Sequence, residues 1–422
     1  MRNIWKNFFI LLQGRGAAAA LTLASTAFMA TVLSVQDFGM VVLMHTYVVV
    51  VRGLFQFKPF ESIVRFGVPF LEDGESGRLA SLLCLTRIVD VVTSILATVS
   101  AILLVSVLSK FLEWDAALSE VAVWYSLILL VTGTGTAKGI LRLHDRFDAL
   151  SVQLVVAPSI RFVGVLIAAY YDSDIEIFML VWALALVSGN IYLMIRGHME
   201  LRRQQFSKLW QDQNLKRIFS VPGDFWHFSA VVYGQTQLDL ITKNTNTLLV
   251  GLLLGPGAAG LFRVAKDFAN ILSTPAVLMR QVLFPELTRA WHTGDGDLER
   301  KAYSISVSAG LGGLVLVALS MPFGAYLLGL IGADYSQAAL LLTLLLSSAS
   351  LDLAAAPIRT AAYAMGKAGA VLKLHFLCTG LYLILFVLLA ENMGLAGPGA
   401  AGIVASACAL AGMLMQIRGR IT

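Results

Sequence analysis

Runs of roughly 20 apolar residues repeat along almost the whole chain and constrain its fold more than any other feature. A run of this length crosses a hydrocarbon core of about 30 Å as an α-helix. Hydrophobic residues make up 58% of the 422 residues and charged residues only 14%, too few for the surface of a soluble protein. The runs are continuous rather than alternating, which argues against a transmembrane barrel. The sequence therefore predicts an all-α polytopic membrane protein.

About twelve transmembrane helices are predicted. Lysine and arginine placement tests this count, because these residues concentrate in cytoplasmic loops. With a cytoplasmic N-terminus, 21 of them, including Lys138 and Arg142 at the inner end of the fourth span, fall in inner segments and only Lys110 in an outer loop, so both termini are predicted to be cytoplasmic. The predicted spans are 8–34, 38–57, 86–108, 120–141, 150–171, 175–195, 224–254, 258–284, 302–322, 336–358, 371–390 and 394–416.

The longest basic loop, residues 196–217, lies between the sixth and seventh predicted spans. It divides the chain into an N-terminal six-helix lobe (1–195), a basic cytoplasmic linker (196–223) and a C-terminal six-helix lobe (224–422). Such a division predicts two pseudo-symmetric lobes around a central cavity.

A short internal similarity supports a duplication. "VQDFGMVVLMH" precedes an apolar run in the first half as "GPGAAGLFRVAK" does in the second. Aligning Gly39 with Gly260 places His45 at the position of Lys266.

Nine cations remain at membrane depth once the loop cations are assigned, against four aspartates. Each buried charge costs about 3 kcal/mol on insertion scales, so these groups must face water, pair, or reach the interface. The cations are Arg15, Arg52, Arg87, Arg161, Lys243, Arg263, Lys266, Arg280 and Arg359, and the acids are Asp90, Asp239, Asp267 and Asp352.

On the eighth predicted span, Arg263, Lys266 and Asn270 share one helical stripe. Lys266 lies about eight residues past the outer end of the span and therefore about 12 Å deep. Asp267 can pair with Arg263 at i,i+4, which leaves Lys266 unneutralised. Snorkelling to the interface is the alternative for both cations.

The seventh span is more polar still, with Gln235, Asp239, Thr242 and Asn246 in one stripe and Lys243 at its border. Such a helix cannot face lipid, because its polar groups would lack partners. Asp239 and Lys243 either neutralise one another or leave Asp239 as an acid that couples transport to protons.

The first half carries its own candidates. Arg15 on the first span and His45 and Arg52 on the second are predicted to line the cavity. Arg52 lies near the inner end, so snorkelling is its alternative. Arg87 and Asp90 are predicted as an i,i+3 ion pair.

Four membrane-depth charges have weaker assignments. Arg161, which follows Pro158, is predicted to satisfy a helix break. Asp352 is a candidate proton carrier or a partner for a neighbouring helix, and Arg280 and Arg359 are predicted to reach the interface.

The surplus of cations predicts an anionic ligand. The sequence carries no phosphate-loop motif, metal-ligand cluster or Ser/His/Asp arrangement, so neither an enzyme nor a cofactor is expected. The basic residues are dispersed along the chain and therefore do not indicate binding to nucleic acid.

Several segments carry a family resemblance in their order and spacing: "DFGMVVLMHTYVVVVRGLFQF", "NTLLVGLLLGPGAAGLFRVAKDFANIL", "FPELTRAWHTGD", "IGADYSQAALLLTLLL", "AYAMGKAGAVLK" and "GLAGPGAAGIVASACAL". The chain resembles the lipid-linked oligosaccharide flippases that export O-antigen and other polysaccharides. They belong to the multidrug/oligosaccharidyl-lipid/polysaccharide exporter superfamily.

The resemblance implies twelve helices in two lobes that open alternately to either face. It implies a polyprenyl-pyrophosphate-linked oligosaccharide as cargo, moved through a cationic cavity for lipopolysaccharide or exopolysaccharide biosynthesis. Membrane lipids and a polysaccharide polymerase or export protein are the implied partners, and the bacterial plasma (inner) membrane is the implied location.

Two alternatives stay open. A cation-coupled multidrug exporter would have the same architecture but a cavity dominated by acids and aromatics. A membrane-embedded glycan ligase or transferase would need a large outer loop with paired carboxylates or arginines, and the predicted outer loops are short.

Overall fold

The computed structural model describes residues 2–111, 114, 116–203, 223–270 and 298–418, which are almost entirely helical. The first helices are α1 (Arg2–Val32), α2 (Val35–Leu54), α3 (Pro59–Glu72), α4 (Ser76–Phe111), α5 (Ala116–Ser126), α6 (Gly135–Leu143), α7 (Phe147–Tyr170) and α8 (Ile175–Arg203). The later helices are α9 (Phe225–Lys243), α10 (Thr245–Leu254), α11 (Pro256–Ala269), α12 (Leu298–Gly329), α13 (Ala339–Ala364), α14 (Ala368–Met393) and α15 (Gly397–Arg418).

The helices coincide with the predicted spans. Across the described ranges of the chain, each of the twelve predicted ranges overlaps one α-helix or two consecutive α-helices, and α3 alone falls outside them. Residues 271–284 of the eighth range, which include Arg280, lie outside the described part of the chain. Within the described residues, eight stretches are long and apolar enough to cross a membrane, with mean hydropathy between 1.4 and 2.5. The predicted all-α polytopic membrane protein is confirmed.

The described contacts group into two compact units. The first unit comprises Met1–Val32 and Leu43–Thr245, and the second comprises Leu33–Val42 and Asn246–Thr422. The first turns of α2 therefore pack within the second unit, and α9 packs within the first. The predicted boundaries of the lobes at 195 and 224 follow the basic loop rather than this packing, and they remain a prediction.

The fourth predicted span is interrupted in the first unit. Helix α5 passes into a short 3-10 helix (Leu127–Val131), and α6 begins only at Gly135. A side chain at Gly133 would lie 2.8 Å from the backbone oxygen of Asp90. Small residues therefore let α4 approach the interruption closely, as the sequence of this segment indicates.

Arg87 and Asp90 of α4 hold the two sides of this interruption. Arg87 Nη1 donates a hydrogen bond of 3.1 Å to the carbonyl oxygen of Gly133, and Asp90 Oδ2 accepts one of 2.6 Å from the backbone N–H of Thr136. A helix end leaves backbone N–H and C=O groups without hydrogen-bond partners in the helix, and in lipid these groups need partners from elsewhere in the protein. The charges of Arg87 and Asp90 interact, as the predicted i,i+3 pair requires. Among the described residues they form no direct ion pair, because each side chain binds the interrupted backbone.

The corner before α11 depends on two residues in the second unit. Gly255 has φ of 87°, a left-handed value that favours glycine, and Pro256 occupies the first turn of the helix. Helix α11 then crosses the start of α2, where a side chain at Gly260 would lie 3.0 Å from the carbonyl oxygen of Val35. The aligned residue Gly39 lies at the same crossing, where a side chain would collide with the carbonyl oxygen of Pro256.

Gly39→Ala is expected to destabilise the second unit by about 1–3 kcal/mol, because the added methyl group meets rigid backbone. Chemical denaturation in detergent measures this change. Gly16→Ala on α1 is the matched control, since no atom lies within 4 Å of its added methyl group. Equal stability of the two variants would contradict the close crossing.

Candidate functional site

Four cations form a connected group in the first unit, here called the basic cluster: Arg15, Arg52, Lys138 and Arg142. The charge of Lys138 interacts with those of Arg52 and Arg142, and Arg142 interacts in turn with Arg15. Two acids oppose them, Asp90 near Arg52 and Lys138, and Glu61 near Arg142. The cluster and its acids thus carry a surplus of two positive charges.

Arg52 lines a pocket at the C-terminal end of α2. The pocket is an open recess with a cavity volume of about 20 Å³. Asp90 and Ser94 of α4 and Gln56 from the segment after α2 also line it. Arg52 is half-buried here, so its side chain lies in a polar recess of the first unit.

The remaining cluster cations differ in exposure. The Arg142 guanidinium carbon lies 4.3 Å from the centroid of the Phe60 ring, a cation–π contact that orients an exposed side chain. Lys138 is half-buried on α6, and Arg15 is exposed on α1. The basic cluster therefore combines half-buried and exposed cationic side chains.

The segment between α2 and α3 is fixed by α9. Lys58 adopts a left-handed φ of 48° before Pro59 starts α3. Tyr233 donates a hydrogen bond of 2.7 Å to the carbonyl oxygen of Leu54, and Gln237 donates one of 3.1 Å to that of Gly53. These bonds satisfy carbonyls at the C-terminal end of α2 and thereby hold the turn that carries Arg52.

His45 belongs to a second polar group inside the first unit. His45 Nδ1 and Tyr125 Oη are hydrogen-bonded at 2.9 Å, and the imidazole packs edge-on against Trp182 with centroids 4.8 Å apart. The Arg161 guanidinium carbon lies 4.8 Å from the centroid of the Trp182 ring, and Arg161 Nε donates a hydrogen bond of 3.0 Å to Ser25. The predicted role of Arg161 at a helix break is wrong, because α7 continues through the preceding proline.

The second unit carries the charges of α11. Arg263 Nε donates to Asp267 Oδ2 at 3.0 Å, so the predicted i,i+4 pair is confirmed. Lys266 Nζ lies 5.8 Å from the centroid of the Phe262 ring, and Asn270 is exposed just after the helix. The three charges on this helix sum to one positive charge.

Asp352 lies on α13 with an exposed side chain. It interacts with Arg359, two turns further along the same helix, and with His375 of α14. Asp352 is therefore not isolated, and its predicted part in proton coupling remains a prediction.

The other predicted site residues lie on α9 and α10. Gln235 is exposed and Asn246 is buried. The side chains of Asp239, Thr242 and Lys243 lie outside the described part of the structure. Binding by the predicted cavity residues remains a prediction at every position.

Sequence reasoning missed Lys138 and Arg142. Both were assigned to a cytoplasmic loop, because that assignment fits the distribution of lysine and arginine. The glycine and threonine residues of "GTGTAKG" carry the overlooked signal, since they allow a helix to end and restart before Lys138.

Three comparisons place the chain among known proteins. Residues 4–291 match the family described as polysaccharide biosynthesis protein. The inner membrane protein YghQ of Escherichia coli (strain K12) is 27% identical over 343 residues, which cover 80% of this chain and 95% of that protein.

Solved structures show a similar fold. An inward-facing multidrug resistance MATE family transporter of the MOP superfamily has a TM-score of 0.74 at 14% identity, with 95% of each chain covered. A mutant of the Vibrio cholerae MATE transporter VcmN has a TM-score of 0.65 at 16% identity, with 100% of this chain and 97% of that chain covered. The chain shares the fold of these transporters.

Proposed function

The chain belongs to the family of polysaccharide biosynthesis proteins, and from this we propose that it is a flippase for a polyprenyl-pyrophosphate-linked oligosaccharide. The cargo moves from the inner to the outer leaflet of the bacterial plasma membrane, for lipopolysaccharide or exopolysaccharide biosynthesis. The name of the Escherichia coli relative supports the inner membrane as the location. Both termini are cytoplasmic, the cargo undergoes no covalent change, and a polysaccharide polymerase or export protein takes the product.

The basic cluster is the observation that carries this proposal. Its four cations face only two acids, so the site attracts a multiply charged anion. A pyrophosphate group cannot enter hydrocarbon without large desolvation cost, and fixed cations in a polar recess reduce that cost. The prenyl chain can stay in lipid while the charged head moves.

The similarity to MATE transporters favours alternating access as the transport cycle. In this cycle the two lobes open in turn to either side of the membrane, with the cations of Arg15, Arg52, Lys243, Arg263 and Lys266 facing the cargo. His45, Gln235, Thr242, Asn246 and Asn270 provide polar lining, and Asp239 or Asp352 couples the cycle to an ion.

A multidrug exporter is the alternative that the fold favours. Export of a cationic drug needs acids and aromatic faces at the site, whereas the basic cluster presents an excess of positive charge. The two functions therefore predict opposite charge preferences for the cargo.

Transport by purified protein in proteoliposomes tests the proposal. The vesicles contain either a fluorescent polyprenyl-pyrophosphate-linked saccharide, an uncharged prenyl-linked saccharide, or a cationic dye. We expect faster movement of the pyrophosphate-linked lipid alone. Transport of the cationic dye without movement of the anionic lipid would establish the exporter instead.

Lys266→Ala is expected to lower transport of the anionic lipid at least about tenfold, because it removes the net positive charge of Arg263, Lys266 and Asp267 on α11. Lys266→Arg keeps the charge with a different geometry and should retain part of the rate. Lys110→Ala, at the end of α4, is the control cation. Wild-type transport by Lys266→Ala at equal protein content would remove Lys266 from the mechanism.

A further inference from the structure

Asp90 serves two neighbours at once in the first unit. Its Oδ2 atom accepts the hydrogen bond from Thr136 that caps α6. Its side chain also lines the pocket that holds Arg52, and the charges of Asp90 and Arg52 interact. Because Asp90 is only 4% exposed, its charge depends on protein groups for compensation.

The cap on α6 needs an acceptor but not a charge. Asparagine caps helices about as well as aspartate does, because one side-chain oxygen suffices for the backbone N–H. Arg87 already binds the other side of the interruption through the carbonyl of Gly133. The hydrogen bond to α6 therefore does not require the carboxylate charge of Asp90, which interacts with the charges of Arg87, Arg52 and Lys138.

Arg52 and Asp90 attract one another without closing an ion pair. No ion pair joins them within the part of the chain that the structure describes. Both side chains instead line the same open pocket. A cation and an anion that are held apart in this way offset each other's charge and still leave the guanidinium accessible to another oxygen.

We propose that Asp90 is the resident counter-ion of Arg52, and that a phosphate oxygen of the cargo replaces it at the guanidinium during transport. The proposal rests on the function proposed above. When the pocket holds no cargo, Asp90 stabilises the buried charge of Arg52. When cargo enters, its phosphate competes with Asp90, and the returning carboxylate lowers affinity enough to permit release.

This role makes Asp90 a positioning residue whose charge weakens binding. A merely structural aspartate would support binding through the fold alone, so its neutral substitution would leave affinity unchanged or reduce it. A counter-ion predicts the opposite sign. Asp90→Asn, which keeps the capping oxygen, should bind an anionic probe more tightly than the wild type.

The first experiment measures thermal unfolding midpoints in detergent for Asp90→Asn, Arg52→Gln and the double variant. We expect each single variant to unfold at least about 2 °C earlier, because a buried charge loses its partner, and the double variant to recover most of that loss. Asp90→Asn combined with Arg78→Gln is the control pair, since Arg78 is 68% exposed and pairs with Glu75. Additive midpoint shifts at positions 52 and 90 would overturn the counter-ion proposal.

The second experiment measures binding of inorganic pyrophosphate and of farnesyl pyrophosphate to the full chain in lipid nanodiscs. We expect about tenfold tighter binding by Asp90→Asn and about tenfold weaker binding by Arg52→Gln. Binding of both probes identifies phosphate as the ligand, whereas binding of farnesyl pyrophosphate alone identifies a lipid-linked phosphate.

The outcomes separate this proposal from the function on which it rests. If the wild type binds a probe and Asp90→Asn binds it no more tightly, the counter-ion role is overturned while the anionic cargo stands. If the wild type binds neither probe, the proposed anionic cargo fails, and the displacement of Asp90 fails with it.

Discussion

Substituting both Lys138 and Arg142 with glutamine is expected to reduce transport of a pyrophosphate-linked lipid about a hundredfold. Both cations belong to the basic cluster and interact with one another. A hydrogen bond to a charged group contributes about 1.5–3 kcal/mol, so two lost contacts exceed the roughly 2.7 kcal/mol of a hundredfold change. Because Arg142 is exposed and salt screens its charge, we expect the loss of transport to be near a hundredfold rather than greater.

The measurement is the initial rate in proteoliposomes at equal protein content, with chromatographic homogeneity as the test of folding. Arg78→Gln is the matched control, because Arg78 lies at a predicted inner segment but pairs with Glu75 at the surface. Raising the salt concentration should slow the wild type toward the double variant, since exposed charges are screened. A double variant that keeps more than half of the wild-type rate would place the anion elsewhere.

The spans were predictable because the bilayer fixes the length of an apolar helix. The pair between Arg263 and Asp267 was predictable for a similar reason, since residues four apart on one helix are neighbours whatever the fold. Both predictions depend on local geometry alone.

Contacts between distant segments were not predictable from one sequence. Arg161 donates to Ser25, which lies 136 residues away, and His45 meets Tyr125 at a separation of 80 residues. Only tertiary packing brings these side chains together. Helical periodicity could place His45 on a polar stripe but could not identify its partner.

The interruption before α6 explains why Lys138 could not be identified as a site residue from the distribution of basic residues. Counting basic residues by loop gave a consistent topology and assigned Lys138 to the cytoplasm. Because the helix restarts at Gly135, Lys138 lies on its first turns, where its charge interacts with those of Arg52 and Asp90. Helix α3 was missed because residues 59–72 were treated as loop, although this range forms an amphipathic helix that packs against α6.

Arg146→Ala is expected to destabilise the first unit by about 2–3 kcal/mol, the second large effect that the structure predicts. Arg146 Nη1 donates to Glu200 Oε2 at 2.9 Å, and the Glu200 side chain is only 6% exposed. Without Arg146, this carboxylate of α8 would stay buried and lose that ion pair. A quarter of the Arg146 side chain is exposed, so the expected loss lies below the 3–5 kcal/mol of a fully buried pair.

Chemical denaturation in detergent measures this loss, and two variants isolate its cause. Glu200→Gln combined with Arg146→Ala should recover at least about half of the lost stability, because the buried group that loses the ion pair is then neutral. Arg78→Ala is the surface control, and its exposed pair with Glu75 should contribute less than about 1 kcal/mol. If Arg146→Ala and Arg78→Ala have equal effects, the ion pair with Glu200 does not hold the α6–α7 turn to α8.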